Sequence, residues 1–396
     1  MEYLTGHSIR DIFLHNNNWW NFFTTHEHLI RESIVENVCK VLICRTEALG
    51  FHSYKCDDCG HDKKVPHSCK SRFCSSCGKK ATEQWIQTNT NILPNVPWQH
   101  IIFTLPQELR NLFWVNRELI NHIIKIPASI ITKLAKYKGL IPAIFLALHT
   151  FGRDLKQNVH FHVSITSGGL SLDHSQWIPD FFLNHQTLKN QWGFHVTNVL
   201  KQLYKSGQLI LPSELHHINN FTQFNAWIST LYQKTWVVHL QKKSKNHKQN
   251  IKYLSRYLKR PPISETKIKL YDGTNVTYQY KDHHDNSIDT ITMPVDEFIA
   301  RLIRHIPDKG FRVIRYYNWL SNRTRGTLLP LVYKLINQCP ILIKKINWRE
   351  LFYKTFGKDP LKCPICNSIM SWVKTTFPTI CSILDNHETI ATKNFT

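Results

Sequence analysis

The sequence predicts an α+β protein, and three observations carry that expectation. A His-x-His word lies in a run with the alternation of a strand, a Tyr-x3-Tyr word lies in a run with the spacing of a helix, and paired Cys-x2-Cys words precede both. The 396 residues suffice for two or three domains, and a hydrophobic content of 42% is that of a globular chain. Fifty Lys plus Arg against 28 Asp plus Glu give a formal charge of +22. This charge is spread along the chain, which points to a polyanionic partner and first to nucleic acid, with an acidic membrane surface as the rival. The longest apolar run, Leu140 to Leu148, is far short of the roughly 20 residues that span a membrane, and the N-terminus lacks a signal-peptide pattern. A soluble, intracellular protein without a membrane partner is the expectation.

Taken in order, residues 1 to about 50 read as helical, with Leu29, Ile30, Ile34, Val38, Val41 and Leu42 at helix spacing. Trp19, Trp20, Phe22 and Phe23 are expected in the core, with base stacking as the other reading. Cys56-x2-Cys59 and Cys74-x2-Cys77, about fifteen residues apart, have the spacing by which two turns each offer two thiolates to a tetrahedral Zn²⁺. Those four are the simplest ligand set. Cys69, His61 and His67 are left over, so one ligand is exchanged or a second ion binds. Clustering in a long basic chain favours metal thiolates over disulfides.

A strand is expected from His100 to Leu105, ending at Pro106, and residues 107 to 148 read as helical. On the next strand His160 and His162 point to one face, while Val159, Phe161 and Val163 point to the other. His149 lies eleven residues upstream, and Gly152 suggests a turn that returns it to the pair. Three neutral imidazoles with open positions suit a metal that also binds phosphate. Residues 185 to 240 look mostly helical, and Lys242 to Lys248 form a basic linker. Tyr253 and Tyr257 then fall one helical turn apart, off the apolar stripe of Ile251, Leu254 and Leu258. Lys252, Arg256, Lys259 and Arg260 surround them with positive charge, and Pro261 and Pro262 stop the helix. From Lys267 to Pro294 the chain reads as a β-meander expected to close the same sheet as the histidines, and Phe298 to Ile306 as a short helix. Arg323 and Arg325 are suited to phosphate. Cys363-x2-Cys366 is half of a second zinc site, with Cys339, Cys381 or His387 as completions.

Read together, Phe103-Thr-Leu-Pro106, His149-Thr-x-Gly152, Val159-His-Phe-His-Val163, Gly168-Gly169, the Tyr253 to Pro262 word and Phe311-Arg-x-Ile-Arg-Tyr316 form an ordered set. This set resembles the two-tyrosine HUH endonucleases, and among them the rolling-circle transposases of the insertion sequence ninety-one family. The likeness runs from about residue 50 to the 320s. Asn318 and Asn367 stand where the family often has glycine, and the tail after residue 370 is short. The resemblance implies an antiparallel-sheet endonuclease domain over 96–300, after an N-terminal helical and zinc-binding part over 1–95 and before a basic C-terminal region over 301–396. It further implies a metal site on one sheet face, with the tyrosine helix packed across it.

On this resemblance His149, His160 and His162 hold Mg²⁺ or Mn²⁺, and Tyr253 and Tyr257 attack the scissile phosphate to give a 5′-phosphotyrosine and a free 3′-hydroxyl. Cys56, Cys59, Cys69, Cys74 and Cys77 serve structural Zn²⁺, and no organic cofactor is needed. The partners are single-stranded DNA at the ends of its own insertion sequence and target DNA, met in the bacterial cytoplasm at the nucleoid. The rivals are a plasmid or phage replication initiator or relaxase with the same centre, and a non-catalytic zinc DNA-binding protein from a decayed element.

Overall fold

A computed structural model describes residues 8–244, 247–255, 261–281, 287–339 and 347–378. In chain order it contains helices α1 (Ile9–Leu14), α2 (Asn18–His26) and α3 (Glu32–Leu42), strands β1 (Phe51–Lys55) and β2 (Asp62–Pro66), and helix α4 (Ser75–Ile92). Strand β3 (Trp98–Thr104) and helices α5 (Arg110–Val115), α6 (Leu119–Ile123) and α7 (Ile126–Tyr137) follow. Next come β4 (Leu140–Phe151), β5 (Gln157–Ser171), β6 (Trp177–Ile178), α8 (His185–Lys205), α9 (Phe221–Leu231), β7 (Val237–Leu240) and α10 (His247–Ser255). The described chain closes with β8 (Ile268–Tyr271), β9 (Asn275–Lys281), β10 (Ile288–Pro294), α11 (Val295–Ile303), β11 (Ile314–Tyr317), α12 (Arg325–Leu335), α13 (Trp348–Phe356) and β12 (Ser371–Thr376).

The central sheet runs β11-β4-β5-β3-β7, with β6 beside the end of β5, and every pairing in it is antiparallel. Its core is β4–β5, a long hairpin in which His149 sits opposite His160. The expected pairing of the histidine strand with the Phe103 strand is present, with Phe103 opposite Phe161. Strand alternation then sorts the two faces. Ile101, Phe103, Ile144, Leu146, Leu148, Phe161, Val163 and Ile165 face helices α5 to α9 in the largest core. On the opposite face Trp98, Ala143, Phe145 and Ala147 pack against Trp85 of α4, Ile251 and Leu254 of α10, and Trp319. Gly169 is required where β5 runs closest to β4, since a Cβ there would stand 2.4 Å from the Ile141 carbonyl oxygen.

Two expectations are corrected here. Leu140 to Leu148 is not helical: Gly139, at φ +76°, ends α7, and the apolar run that follows is β4, buried on both faces. The meander of β8, β9 and β10 does not close the central sheet either. It forms a sheet of its own, because its inward residues Tyr271, Val276, Tyr278 and Met293 pack on α11 and the N-terminal helices. Tyr271 accepts a 2.6 Å hydrogen bond from Asn18, and Tyr278 donates to the Asp154 carbonyl at the β4–β5 turn. Trp19 and Phe22 belong to that same core, as expected of the aromatic cluster.

A third sheet runs β12-β1-β2. It joins residues 371–376 to residues 51–66.

Candidate active site and metal centres

On the α10 side of the central sheet, His149 comes from β4 and His160 and His162 from β5. Their ligating nitrogens all lie within 4.8 Å of one another. His149 and His162 are buried and His160 is half-buried. His160 Nδ1 donates to the Asn158 carbonyl at 2.8 Å, which leaves Nε2 as the nitrogen with a lone pair. Burial lowers the pKa of His160, and burial together with the neighbouring imidazoles of His149, His160 and His100 pushes His162 well below the ordinary range. The two rings of β5 are therefore neutral near pH 7, the state in which imidazole ligates a metal. The donor set fits a divalent cation with positions left open for oxygen ligands.

A fourth histidine belongs to this face and was not among the expected site residues. His100 on β3 is buried, and its Nε2 lies 3.1 Å from Nδ1 of His162. Burial, then the charge of His239, lowers its pKa to about 3, so it is neutral as well. The signal was legible: alternation along β3 places His100, Ile102 and Thr104 on the face shared with His160 and His162.

Helix α10 crosses this face. Asn250, on its sheet side, accepts a 2.6 Å hydrogen bond from the Ser164 hydroxyl, two residues beyond His162 on the same strand face. Ile251 and Leu254 are buried beside it, and Lys252 is exposed. The backbone of Tyr253 lies within α10, but its side chain is outside the described structure, as are Tyr257, Arg256, Lys259 and Arg260. Arg323 is exposed just before α12, and Arg325 is half-buried at the first position of that helix.

The cysteines group differently from the simplest expectation. Cys74 and Cys77 stand with Cys69 and with Cys44, a residue not singled out in the sequence because it is isolated at the end of α3. Cys56 and Cys59 instead stand with Cys363 and Cys366. The strand pairing β1–β12 is the reason, since it carries the C-terminal knuckle to the N-terminal one and displaces Cys339 as a completion. Cys381 and His387 lie outside the described residues. Neither His61 nor His67 enters a quartet.

In the first quartet Cys44 Sγ is 3.7 Å from both Cys74 Sγ and Cys77 Sγ, and Cys69 Sγ is 3.6 Å from Cys77 Sγ. A zinc ion about 2.3 Å from each sulfur would space them about 3.8 Å apart in a tetrahedron. Thiol hydrogen bonds, first from Cys44, hold the Cys77 thiol low, and its place in the first turn of α4 also suits a thiolate. Backbone N–H groups of Cys69 and Ser71 donate to the sulfurs of Cys44 and Cys69, each at 3.4 Å. Beside the first quartet, at Cys69 and Cys77, runs a groove lined by Lys40, Arg45, Lys70 and Lys80, with Trp348 and Phe352 among them.

Comparison with known proteins agrees with this layout. Residues 15–105 match the family model described as "Transposase zinc-binding domain", and residues 143–327 match one described as "Putative transposase". The "Transposase for insertion sequence element IS801" of Pseudomonas savastanoi pv. phaseolicola is 36% identical over 370 residues, covering 92% of this chain and 89% of that protein. The "Putative transposase y4qJ" of Sinorhizobium fredii is 29% identical over 337 residues, covering 82% of this chain and 85% of the other. No solved structure matches. Among the described residues no helix is long and apolar enough to cross a membrane. With a zinc-binding segment followed by a transposase segment and a 36% identical relative matched over most of both chains, the chain belongs to the insertion sequence ninety-one (IS91) family of transposases.

Proposed function

We propose that this transposase moves its element by a rolling-circle route, nicking and rejoining single-stranded DNA through tyrosine. The observation that carries the reading is one face of one sheet: three clustered imidazoles, with the helix of Tyr253 packed on the same face where Asn250 meets Ser164, two residues beyond His162. His149, His160 and His162 would hold Mg²⁺ or Mn²⁺, which when bound polarises the scissile phosphate and stabilises charge on its oxygens. The chain itself supplies the nucleophile. The hydroxyl of Tyr253 or Tyr257 attacks phosphorus, the bond to the 3′ oxygen breaks, and that oxygen leaves as a 3′-hydroxyl after taking up a proton. A 5′-phosphotyrosine results, and attack by a 3′-hydroxyl reverses the step without ATP. Two tyrosines allow a second cleavage while the first strand remains attached.

The other roles follow charge and chemistry. Lys252, Arg256, Lys259 and Arg260 draw the DNA backbone to the tyrosines, and Arg323 and Arg325 extend that contact. Cys44, Cys69, Cys74 and Cys77 hold a structural Zn²⁺ in the N-terminal module, whose basic groove suits the DNA ends of the element in the bacterial cytoplasm. A replication initiator or relaxase would use the same centre, and family membership favours the transposase.

The test uses a 5′-labelled and a 3′-labelled single strand from the element's end, with Mn²⁺. Wild type should become covalently linked to the 5′ phosphate of the cleaved product. Tyr253→Phe and Tyr257→Phe should each retain part of that activity, and the double variant none. A covalent adduct on the double variant would defeat the mechanism.

A further inference from the structure

The second cysteine quartet takes no part in the nicking chemistry, and its meaning does not depend on that reading. We propose that Cys56, Cys59, Cys363 and Cys366 hold a second zinc ion as a tetrathiolate, which fastens the C-terminal part of the chain to its N-terminal module. The matched zinc-binding segment ends at residue 105, so half of this site lies far outside it.

The two knuckles are built alike. In the first, the Cys56 N–H donates to the His61 carbonyl at 2.9 Å and the Gly60 N–H donates to the Cys56 carbonyl at 2.9 Å. In the second, the Cys363 N–H donates to the Ser368 carbonyl at 2.8 Å and the Asn367 N–H donates to the Cys363 carbonyl at 3.1 Å. Each thus pairs its first cysteine with the residues four and five places on. Each also sets the residue after its second cysteine in the left-handed region, Gly60 at φ +72° and Asn367 at φ +63°. Asparagine is the residue other than glycine that accepts this conformation most readily, which accounts for Asn367. The Ile365 N–H points at the Cys363 sulfur at 3.4 Å.

The facing sulfurs have the spacing of ligands. Cys56 Sγ is 3.3 Å from Cys366 Sγ, and Cys59 Sγ is 3.6 Å from Cys363 Sγ and 3.5 Å from Cys366 Sγ. These are close to the roughly 3.8 Å edge of a zinc tetrathiolate and far from the ~2 Å of a disulfide. Among the described residues the buried apolar cluster around them comprises Tyr54, Cys56, Cys363 and Met370, with Val65 and Leu361 partly buried. A core of that size does not hold two chain segments together in water, whereas a structural zinc does. The remaining contacts serve the same junction: Lys63 Nζ donates to the carbonyls of Pro360 and Lys362, and Ser371 Oγ donates to Asp57. Four soft thiolates in a tetrahedral arrangement select zinc over Mg²⁺ or Mn²⁺.

The experiment counts zinc per full-length chain by mass spectrometry of the metal, in a His160→Ala, His162→Ala background so that the histidines contribute none. The parent should hold two ions. Cys363→Ser, Cys366→Ser should hold one, as should Cys74→Ser, Cys77→Ser, whereas Cys366→His should keep two because imidazole replaces thiolate. Amide exchange over residues 51–55 should quicken in the Cys363→Ser, Cys366→Ser protein and stay slow in Cys366→His. A parent with one ion, an unchanged count of two in Cys363→Ser, Cys366→Ser, or loss of an ion in Cys366→His overturns the proposal. The count is independent of nicking, so it separates failure here from failure of the tyrosine mechanism.

Discussion

His100 stands directly behind His162, where a single imidazole can orient a candidate ligand. If His162 ligates through Nε2, its Nδ1 carries the proton and donates to Nε2 of His100 across 3.1 Å, which fixes the ring's tautomer and its angle. On the proposed mechanism His100 would be a positioning residue, one step removed from the metal. His100→Leu should weaken Mn²⁺ binding by about 10- to 100-fold, as loss of such a partner does elsewhere, and His100→Gln, which keeps an acceptor, should restore most of it. Calorimetric titration with Mn²⁺ in the absence of DNA measures this directly. Equal affinities in all three proteins would show that His100 is only core. At this scale the sequence was readable where residues repeat at a structural period. His160 and His162 declare themselves by alternation, and so does His100 once β3 is aligned. Cys44 does not, because a lone cysteine at a helix end carries no spacing to read.

At the scale of elements, the β4–β5 hairpin delivers His149 to the pair on β5, and His305 holds its turn. His305 Nε2 donates to the Leu155 carbonyl at 3.0 Å, and Nδ1 accepts from the Thr150 hydroxyl at 3.0 Å. Burial, with the positive charge of Arg117 and Arg304 adding, lowers its pKa to about 4. The folded protein therefore keeps it neutral, while the unfolded chain binds a proton below about 6.5. Its contribution to stability is whole above about pH 6.5 and is lost as pH falls from there toward about 4, at up to roughly 1.4 kcal/mol per pH unit. Urea unfolding between pH 7 and 4.5 should show that contribution on top of those of the other buried histidines, so stability should fall less steeply in His305→Gln than in wild type; an identical slope in the variant would refute the assignment. The hairpin also marks where the sequence stopped being legible. A continuous apolar run such as Leu140 to Leu148 has neither period, so only Gly139 before it and its length tell strand from helix. The meander was read correctly as strands, but which sheet it joins is decided by the inward side chains of distant helices, and local pattern holds no record of them.

Over the whole molecule, charge and closure dominate. A formal charge of +22 distributed over the chain predicts that binding to a single strand of DNA weakens steeply with salt, by about 0.7 log units per tenfold salt for each phosphate neutralised. Arg323→Ala should lower that slope by roughly one contact and leave sequence preference unchanged, which fluorescence anisotropy from 50 to 300 mM salt can resolve. A slope unaltered by the substitution would remove Arg323 from the interface. The joining of β12 to β1 could not be read from either end alone. Two half-sites of ordinary spacing gave no hint that each completes the other.

That joining also sets an order of events at the ribosome. Cys56 and Cys366 stand 310 positions apart, so at about 5–20 residues per second the first strand of the small sheet waits roughly 15 to 60 s for its partner. The central sheet, whose last strand ends at Tyr317, has emerged before that partner does. A message broken after codon 339 would still encode His149, His160, His162, Tyr253 and Tyr257, yet its product would keep an open sheet edge at β1 and leave Cys56 and Cys59 unmatched. Such a fragment would be open to aggregation and degradation.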